Sequence, residues 1–176
     1  MSSTTISITV RPATLRDAKS IAELHNATVR DAFKAATPNI PVPVSALEKN
    51  AAYWREAIEY AEPQVQVAMD GDKMVGFVGF DRCRDKGTPQ TMGEIWFLYV
   101  ISEYWNQGVG LALWDAAREG LIDEGCTQVC AWLALSNERG LRFFDLAGFK
   151  RELNTAKTVP LGAVRVEEIR LKRTLS

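Results

Sequence analysis

Ile6-Ser7-Ile8-Thr9-Val10-Arg11 alternates apolar and polar residues, the period of a strand with one buried face. Thr14 and then Asp17 fit an N-cap followed by an acidic first turn. Ile21, Leu24, His25, Thr28, Val29 and Ala32 then recur at helical spacing. Pro38, Pro41 and Pro43 exclude regular helix from Ala35 to Ser45, so a loop is expected there, followed by a helix from about Leu47 to Ala61. Val65 to Met69 and Met74 to Phe80 flank Asp70-Gly71-Asp72-Lys73, a hairpin signature in which Asp-Gly supplies the turn. Arg82 to Met92 reads as a polar loop, and Ile95 to Val100 as a buried strand. A glycine-spaced turn follows and opens a helix to about Glu124. Gln128 to Leu135 reads as another buried strand, Asn137 to Leu146 as a short helix, and Phe149 to Leu153 with Val164 to Leu171 as a closing antiparallel pair. The order β-α-α-β-β-β-α-β-α-β-β is that of a mixed α/β (α+β) chain, expected to be a single domain over residues 1–176.

Composition narrows the partners. A chain of 176 residues buries roughly two thirds of its unfolded surface. With 47% apolar residues, 24% charged residues and a net charge of −1, it gives no electrostatic reason to expect nucleic acid or an anionic membrane. No segment reaches the roughly 18 apolar residues that span a bilayer, and Met1 to Val10 carries no secretory signal pattern. Three cysteines, Cys83, Cys126 and Cys130, suit a reducing cytoplasm. Cys126 and Cys130 have no companion histidines at ligand spacing, and His25 is the sole histidine, so no metal site is expected.

The stretch Tyr104-Trp105-Asn106-Gln107-Gly108-Val109-Gly110-Leu111 carries the most chemistry. A glycine turn between a strand and a helix leaves the first helical N–H groups without intrahelical acceptors, beside the positive end of the helix dipole. That is a cradle for an anion, most often a phosphate. A P-loop needs Lys-Ser/Thr after its last glycine, where Leu111-Ala112 stand. A dinucleotide fingerprint needs a third small residue where Leu113 stands, near the start of a βαβ series. A glycine-rich turn also serves tight strand-to-helix packing.

Trp105-Asn106-Gln107-Gly108-Val109-Gly110 resembles motif A of the GNAT superfamily of acyl-CoA-dependent N-acyltransferases, Arg/Gln-x-x-Gly-x-Gly/Ala, with Trp105 where a basic or amide side chain is usual. Arg11-Pro12-Ala13-Thr14, Asp17 and Ala22-Glu23-Leu24 resemble the family's opening strand and helix, and Val75-Gly76-Phe77 its third strand. Asn137, Gly140, Phe144, Gly148 and Phe149 are similar in spacing to its Asn-x-x-Ala-x-x-x-Tyr-x-x-x-Gly-Phe motif. The resemblance implies a mixed, mostly antiparallel sheet flanked by helices, and acetyl-CoA as co-substrate with an amine as acceptor. It implies that backbone amides around Asn106, Gln107, Gly108, Val109, Gly110 and Leu111 hold the CoA pyrophosphate. It also implies that the backbone of Leu98, Tyr99 and Val100 bonds the pantetheine arm and acetyl carbonyl, and that Asn137 and Phe144 lie against the cofactor. A homodimer is compatible with it.

Transfer of an acetyl group to an amine with a pKa near ~10.4 requires removal of a proton before or during attack. Glu94 lies fourteen positions before Gly108, a register that resembles the strand glutamate serving as general base in the histone-acetyltransferase branch. The other reading is a solvated glutamate at a strand edge. Glu103, beside the turn, is less attractive. Phe144 replaces the tyrosine that protonates the departing thiolate in many members, leaving water, Tyr99, Tyr104 or a cysteine for that step. Acceptor choice is expected in loops Ala35–Ser45, Arg82–Met92 and Asn154–Gly162, and around Phe33, Tyr53, Trp54, Tyr60 and Trp96. Two alternatives remain: a non-catalytic acyl-CoA-binding or regulatory module of the same shape, and a nucleotide-binding protein using the same turn.

Overall fold

In the computed structural model, which describes residues 7–36, 39, 50–161 and 164–175, the chain folds around one mixed sheet. The elements are β1 (Ile8–Pro12), α1 (Ala18–Ala36), α2 (Ala51–Tyr60), β2 (Gln64–Asp70), β3 (Lys73–Arg82), β4 (Met92–Val100), α3 (Val109–Asp123), β5 (Gln128–Ala134), α4 (Glu138–Leu146), β6 (Lys150–Leu161) and β7 (Val164–Thr174). The strands lie in the order β1-β2-β3-β4-β5-β7-β6. Every neighbouring pair is antiparallel except β4 and β5, which α3 joins as a parallel crossover.

Helices cover both faces of the sheet. On one, Ile21 and Leu24 of α1 and Trp54 and Ala57 of α2 pack against Val67, Phe77 and Phe97. On the other, Val109, Leu113, Ala117 and Leu121 of α3, with Leu141 and Phe144 of α4, pack against Val78, Ile95, Val129, Ala131 and Leu171. The middle of β3 is thus buried from both sides, which explains the unbroken apolar run Met74–Phe80 in place of alternation. Each large side chain so buried contributes about 1.5–3 kcal/mol.

A bulge shapes the centre. Gly79 opposes Phe97 and Phe80 opposes Ile95, so Trp96 is an extra residue on β4. The strand turns over there: Ile95 and Leu98 join the α3 side, whereas Trp96, Phe97 and Tyr99 pack on the α1/α2 side. Bulges bend and twist a strand. The parallel pairing of β4 with β5 stops at this point, with Ile95 opposite Ala131.

Two expectations need correction. The last hairpin is longer than the pattern suggested: Asn154 to Leu161 is strand, not loop, with Lys157 opposite Glu168 and Val159 opposite Val166. This stretch is an exposed edge strand in which polar residues occupy both faces, so it shows no apolar period, and Pro160 is tolerated at an edge. At the other end α1 continues through Ala36, past the expected start of the proline-bearing loop. Residues 40–49 lie outside the described residues, as does the expected helix start at Leu47. The helix α2 is described from Ala51, with the Asn50 side chain accepting from the Tyr53 N–H at 3.1 Å.

The entry to α1 is fastened by Asp17. Its carboxylate accepts from the Thr14 N–H at 2.7 Å and from both terminal nitrogens of Arg11 at 2.8 and 3.0 Å. The Arg11 hydrogen bonds hold the Asp17 carboxyl below its ordinary value. A depressed pKa stabilises the fold above the unfolded pKa, and that contribution is lost as pH falls through the folded one. We therefore expect Asp17→Asn to cost about 1–3 kcal/mol at neutral pH in denaturant unfolding. The gap from wild type should close below about pH 4. A gap that persists unchanged into acid contradicts the assignment.

Candidate active site

The glycine turn is built from backbone conformations that few residues adopt. After β4 the chain makes a short 3-10 turn at Ser102–Tyr104, and then Asn106 (φ 62°) and Gly108 (φ 81°) sit in the left-handed region. Asparagine and glycine are the residues that tolerate it. Gly108 caps α3 without a side chain, and the first intrahelical bond runs from the Ala112 N–H to the Gly108 carbonyl at 3.0 Å. The amides of Val109, Gly110 and Leu111 therefore have no intrahelical acceptor. A Cβ at Gly108 would meet nothing within 4 Å, so open space lies before the cradle. At Gly110 it would come within 3.1 Å of the Phe143 ring, so glycine lets α4 close on the start of α3. The Gln107 amide donates to the Glu103 carbonyl at 3.0 Å and ties the turn to its own base.

Trp105 has a structural task of its own. Its indole N–H donates to the Val100 carbonyl at 2.8 Å, tying the turn to the end of β4. Across the ring lies the Arg139 guanidinium, 3.9 Å from the centroid. A positive charge thus stands beside the turn although residue 105 carries none; it comes from the first turn of α4.

Beyond Ile95 and Ala131 the two central strands part. β4 continues to Val100 bonded to β3, and β5 continues to Ala134 bonded to β7. Their facing edges make no ladder with one another; on β4 that edge carries the backbone groups of Leu98 and Val100, whereas Tyr99, between them, pairs with Phe77 and turns its carbonyl toward β3. Such edges offer N–H and C=O groups to an extended ligand. The slot opens toward the end of the sheet that carries the glycine turn, with Asn137 and α4 following β5 on its other side.

The Asn137 Oδ1 accepts from the Gly140 N–H at 3.0 Å, so it caps α4 and keeps its NH2 group for another partner. Phe144 is buried, with ring centroids 4.9 Å from Phe149 and 5.3 Å from Phe143. The tyrosines are committed elsewhere: the Tyr104 hydroxyl donates to Asp70 at 2.5 Å, which raises its pKa. Tyr99 packs with His25 and Phe77, and burial pushes its hydroxyl up to about 12. His25 itself is buried among Trp54, Phe97 and Tyr99.

Glu94 is at the paired end of β4. Gly93 and Ile95 face α3, so Glu94 faces the opposite side. It is 1% exposed, and its carboxylate accepts from Arg84 three times: from N–H at 3.0 Å, Nε at 3.3 Å and Nη2 at 2.7 Å. Arg84 is half exposed and stacks on Trp96 at 4.0 Å, so its guanidinium lies between Glu94 and solvent. The same face holds a group that sequence spacing did not bring together. Cys83 and Cys130, 47 positions apart, have sulfurs 3.4 Å from each other. Beside them Asp85 accepts from Trp132 Nε1 at 3.0 Å and from Arg170 Nη1 at 3.0 Å. Burial opposes ionisation of Asp85, but these hydrogen bonds bring it below its ordinary value. Spacing drew attention to Cys126 and Cys130, yet Cys126 belongs to the opposite core with Leu121 and Val129.

Comparison with known proteins gives a consistent result. The chain is 28% identical over 85 residues to N-alpha-acetyltransferase 30 of Schizosaccharomyces pombe, a match covering 48% of this chain and only 56% of that protein. Among solved structures it resembles an N-acetyltransferase of Staphylococcus aureus Mu50 (TM-score 0.76, 17% identity, 97% and 99% of the two chains). It also resembles yncA of Salmonella typhimurium, solved with its cofactor acetyl-CoA (TM-score 0.72, 18% identity, 96% and 94%). A third is the paia N-acetyltransferase of Thermoplasma acidophilum, solved with coenzyme A (TM-score 0.73, 16% identity, 96% and 99%). These structures share the fold, and the model of the acetyltransferase (GNAT) family matches residues 26–149, more than half of the sequence. The chain belongs to the acetyltransferase (GNAT) family.

Proposed function

We propose that this chain transfers the acetyl group of acetyl-CoA to a primary amine of a small molecule or peptide end, by direct attack within a ternary complex. The observation that carries the reading is the meeting of two features at one end of the sheet. One is a slot between β4 and β5 lined by unladdered backbone; the other is the amide cradle at Gly108–Leu111. A long, thin ligand with a pyrophosphate partway along it fits both at once. The peptide-end acceptor takes support from the name of the yeast relative, N-alpha-acetyltransferase 30.

In this reading the amides of Asn106, Gln107, Gly108, Val109, Gly110 and Leu111 surround the pyrophosphate, and the helix dipole favours its charge. Trp105 positions the turn, and Arg139, stacked on it, adds the cation. Backbone of Leu98 and Val100, on either side of Tyr99, aligns the pantetheine arm, and an N–H there stabilises charge on the carbonyl oxygen as the amine adds. The Asn137 NH2 reaches the same arm, and Phe144 closes the apolar floor. Acetyl-CoA supplies the activated acetyl group. Glu94 takes the proton of the incoming amine, directly or through water, once Arg84 swings aside. Phe144 has no hydroxyl and Tyr104 is held by Asp70, so water protonates the departing thiolate.

Incubation with acetyl-CoA and a broad panel of amines, followed by free thiol, should give thiol above background with at least one amine class. Absence of thiol despite measurable CoA binding favours the non-catalytic module, and tighter binding of ATP or NAD than of CoA favours the nucleotide reading. Gly108→Glu fills the open space before the cradle with an anion, and should raise the CoA dissociation constant at least tenfold, about 1.4 kcal/mol. Arg139→Ala should weaken CoA by a smaller factor that shrinks at high salt, as expected for an exposed charge. A salt-independent effect contradicts the electrostatic role. Glu94→Gln should lower turnover by about 100-fold or more below the amine pKa, with CoA affinity little changed. Wild-type rates at every pH leave Glu94 with a structural role only.

A further inference from the structure

The polar face beside Glu94 holds a thiol pair that acetyl transfer does not use. Cys83 follows directly on β3, its N–H donating to the Met92 carbonyl at 2.9 Å. Cys130 lies in the middle of β5 directly opposite Glu94 and is fully buried. The two sulfurs are in hydrogen-bond contact at 3.4 Å, and the Asp85 N–H also donates to Cys83 at 3.4 Å. Cys83 is half-buried, whereas Cys130 is sealed within the sheet. The hydrogen bond between the two sulfurs holds Cys83 below the ordinary thiol value, whereas the same bond and burial push Cys130 up. A half-buried thiol backed by a second, buried one in contact is the arrangement of a redox-responsive pair.

We infer that Cys83 reacts with hydroperoxides and that Cys130 resolves the product, closing a reversible disulfide across the central strands. The Cys83 thiolate attacks one peroxide oxygen; the O–O bond breaks, the sulfur becomes a sulfenic acid, and the other oxygen leaves as hydroxide and takes up a proton. The Cys130 sulfur then displaces the sulfenic oxygen, its proton leaving with that oxygen as water. Two thiols and one peroxide give one disulfide and two waters, or one water and one alcohol from an organic hydroperoxide. The bond length of about 2.05 Å requires the sulfurs to approach, which falls to Cys83 because it stands at the end of β3 and not within the sheet.

A metal ion is the competing occupant, since the Asp85 carboxylate and the two sulfurs lie within 4.8 Å of one another. Arg170 argues against it: a guanidinium already occupies Asp85 at 3.0 Å, and a second cation there meets like charge. Oxidation also reaches the proposed base, because Arg84, the next residue, bonds Glu94 through both backbone and side chain. This coupling rests on the acetyl-transfer reading; the thiol chemistry does not.

The test treats the reduced, folded wild-type chain with one equivalent of hydrogen peroxide, alkylates the remaining thiols and maps the peptides. Expected are loss of two hydrogens in intact mass, a Cys83–Cys130 peptide, and recovery of both thiols with dithiothreitol. In Cys130→Ala, Cys83 should stop at sulfenic acid and react with dimedone; if that variant does not fold, the wild-type map decides alone. A bond to Cys126 or to a second chain overturns the inference, as does Cys83 sulfinic acid beside an intact Cys130. Zinc that co-purifies and shields both thiols from alkylation overturns it in favour of a metal site. Acetyl transfer should fall several-fold in the cross-linked form and return on reduction. Unchanged turnover in a fully cross-linked sample removes the coupling to Glu94. A reduced chain that forms the disulfide but never releases CoA refutes the acetyl-transfer reading instead.

Discussion

The molecule depends on a parallel strand pair that is allowed only four residue pairs. β4 and β5 meet from Met92–Gln128 to Ile95–Ala131 and then separate, each still held on its outer edge by an antiparallel neighbour. The extra residue Trp96 initiates the divergence by rolling β4 over. A sheet split in this way is costly unless something bonds the exposed edges, because backbone polar groups need partners. Both edges run to the end where α3 begins, and there the first amides of α3 have no intrahelical acceptors. The slot and the cradle thus lie at one end of the sheet, both presenting backbone groups outside the helix and sheet ladders.

Chemistry is divided between the two faces of the sheet. The α3/α4 face is a close-packed apolar core in which Trp114, Phe149, Phe144 and Phe143 stack in sequence. On the other face α1 and α2 cover β2–β4, while the surface near β5, β6 and β7 is lined by paired charges. There Arg170 links Asp85 to Glu152, Lys172 adds to Glu152, and Lys157 lies 4.0 Å over the Trp132 ring. Glu94 and the Cys83–Cys130 pair sit on that face, one ladder rung before the slot opens. A carboxylate there is dry yet one arginine away from solvent.

Much of this was legible in the sequence because it was written in short-range rules. Apolar periods marked the buried strands and helices, Asp70-Gly71 marked the hairpin, and the two glycines marked the cradle. Three features were not legible, each for a physical reason. The outer half of β6 is polar on both faces, so no period announces it. The sulfur contact joins residues 47 apart across a strand that lies between them, which local spacing cannot reveal. Trp105 stands where a basic or amide side chain is usual, and the cation beside the turn comes instead from Arg139 of α4, stacked on the indole, which a linear motif cannot show.

The central claim is that the α3 amides and the free edge of β4 form one CoA site. Amide-resolved NMR during titration with CoA tests it most directly. Binding should shift the N–H signals of Gly108, Val109, Gly110 and Leu111 together with those at the end of β4, saturating at one ligand per chain, with the Cys83 and β6 signals little moved. Saturable binding that leaves the residue 108–111 amides unmoved, or that shifts them more strongly with ATP or NAD than with CoA, contradicts the account.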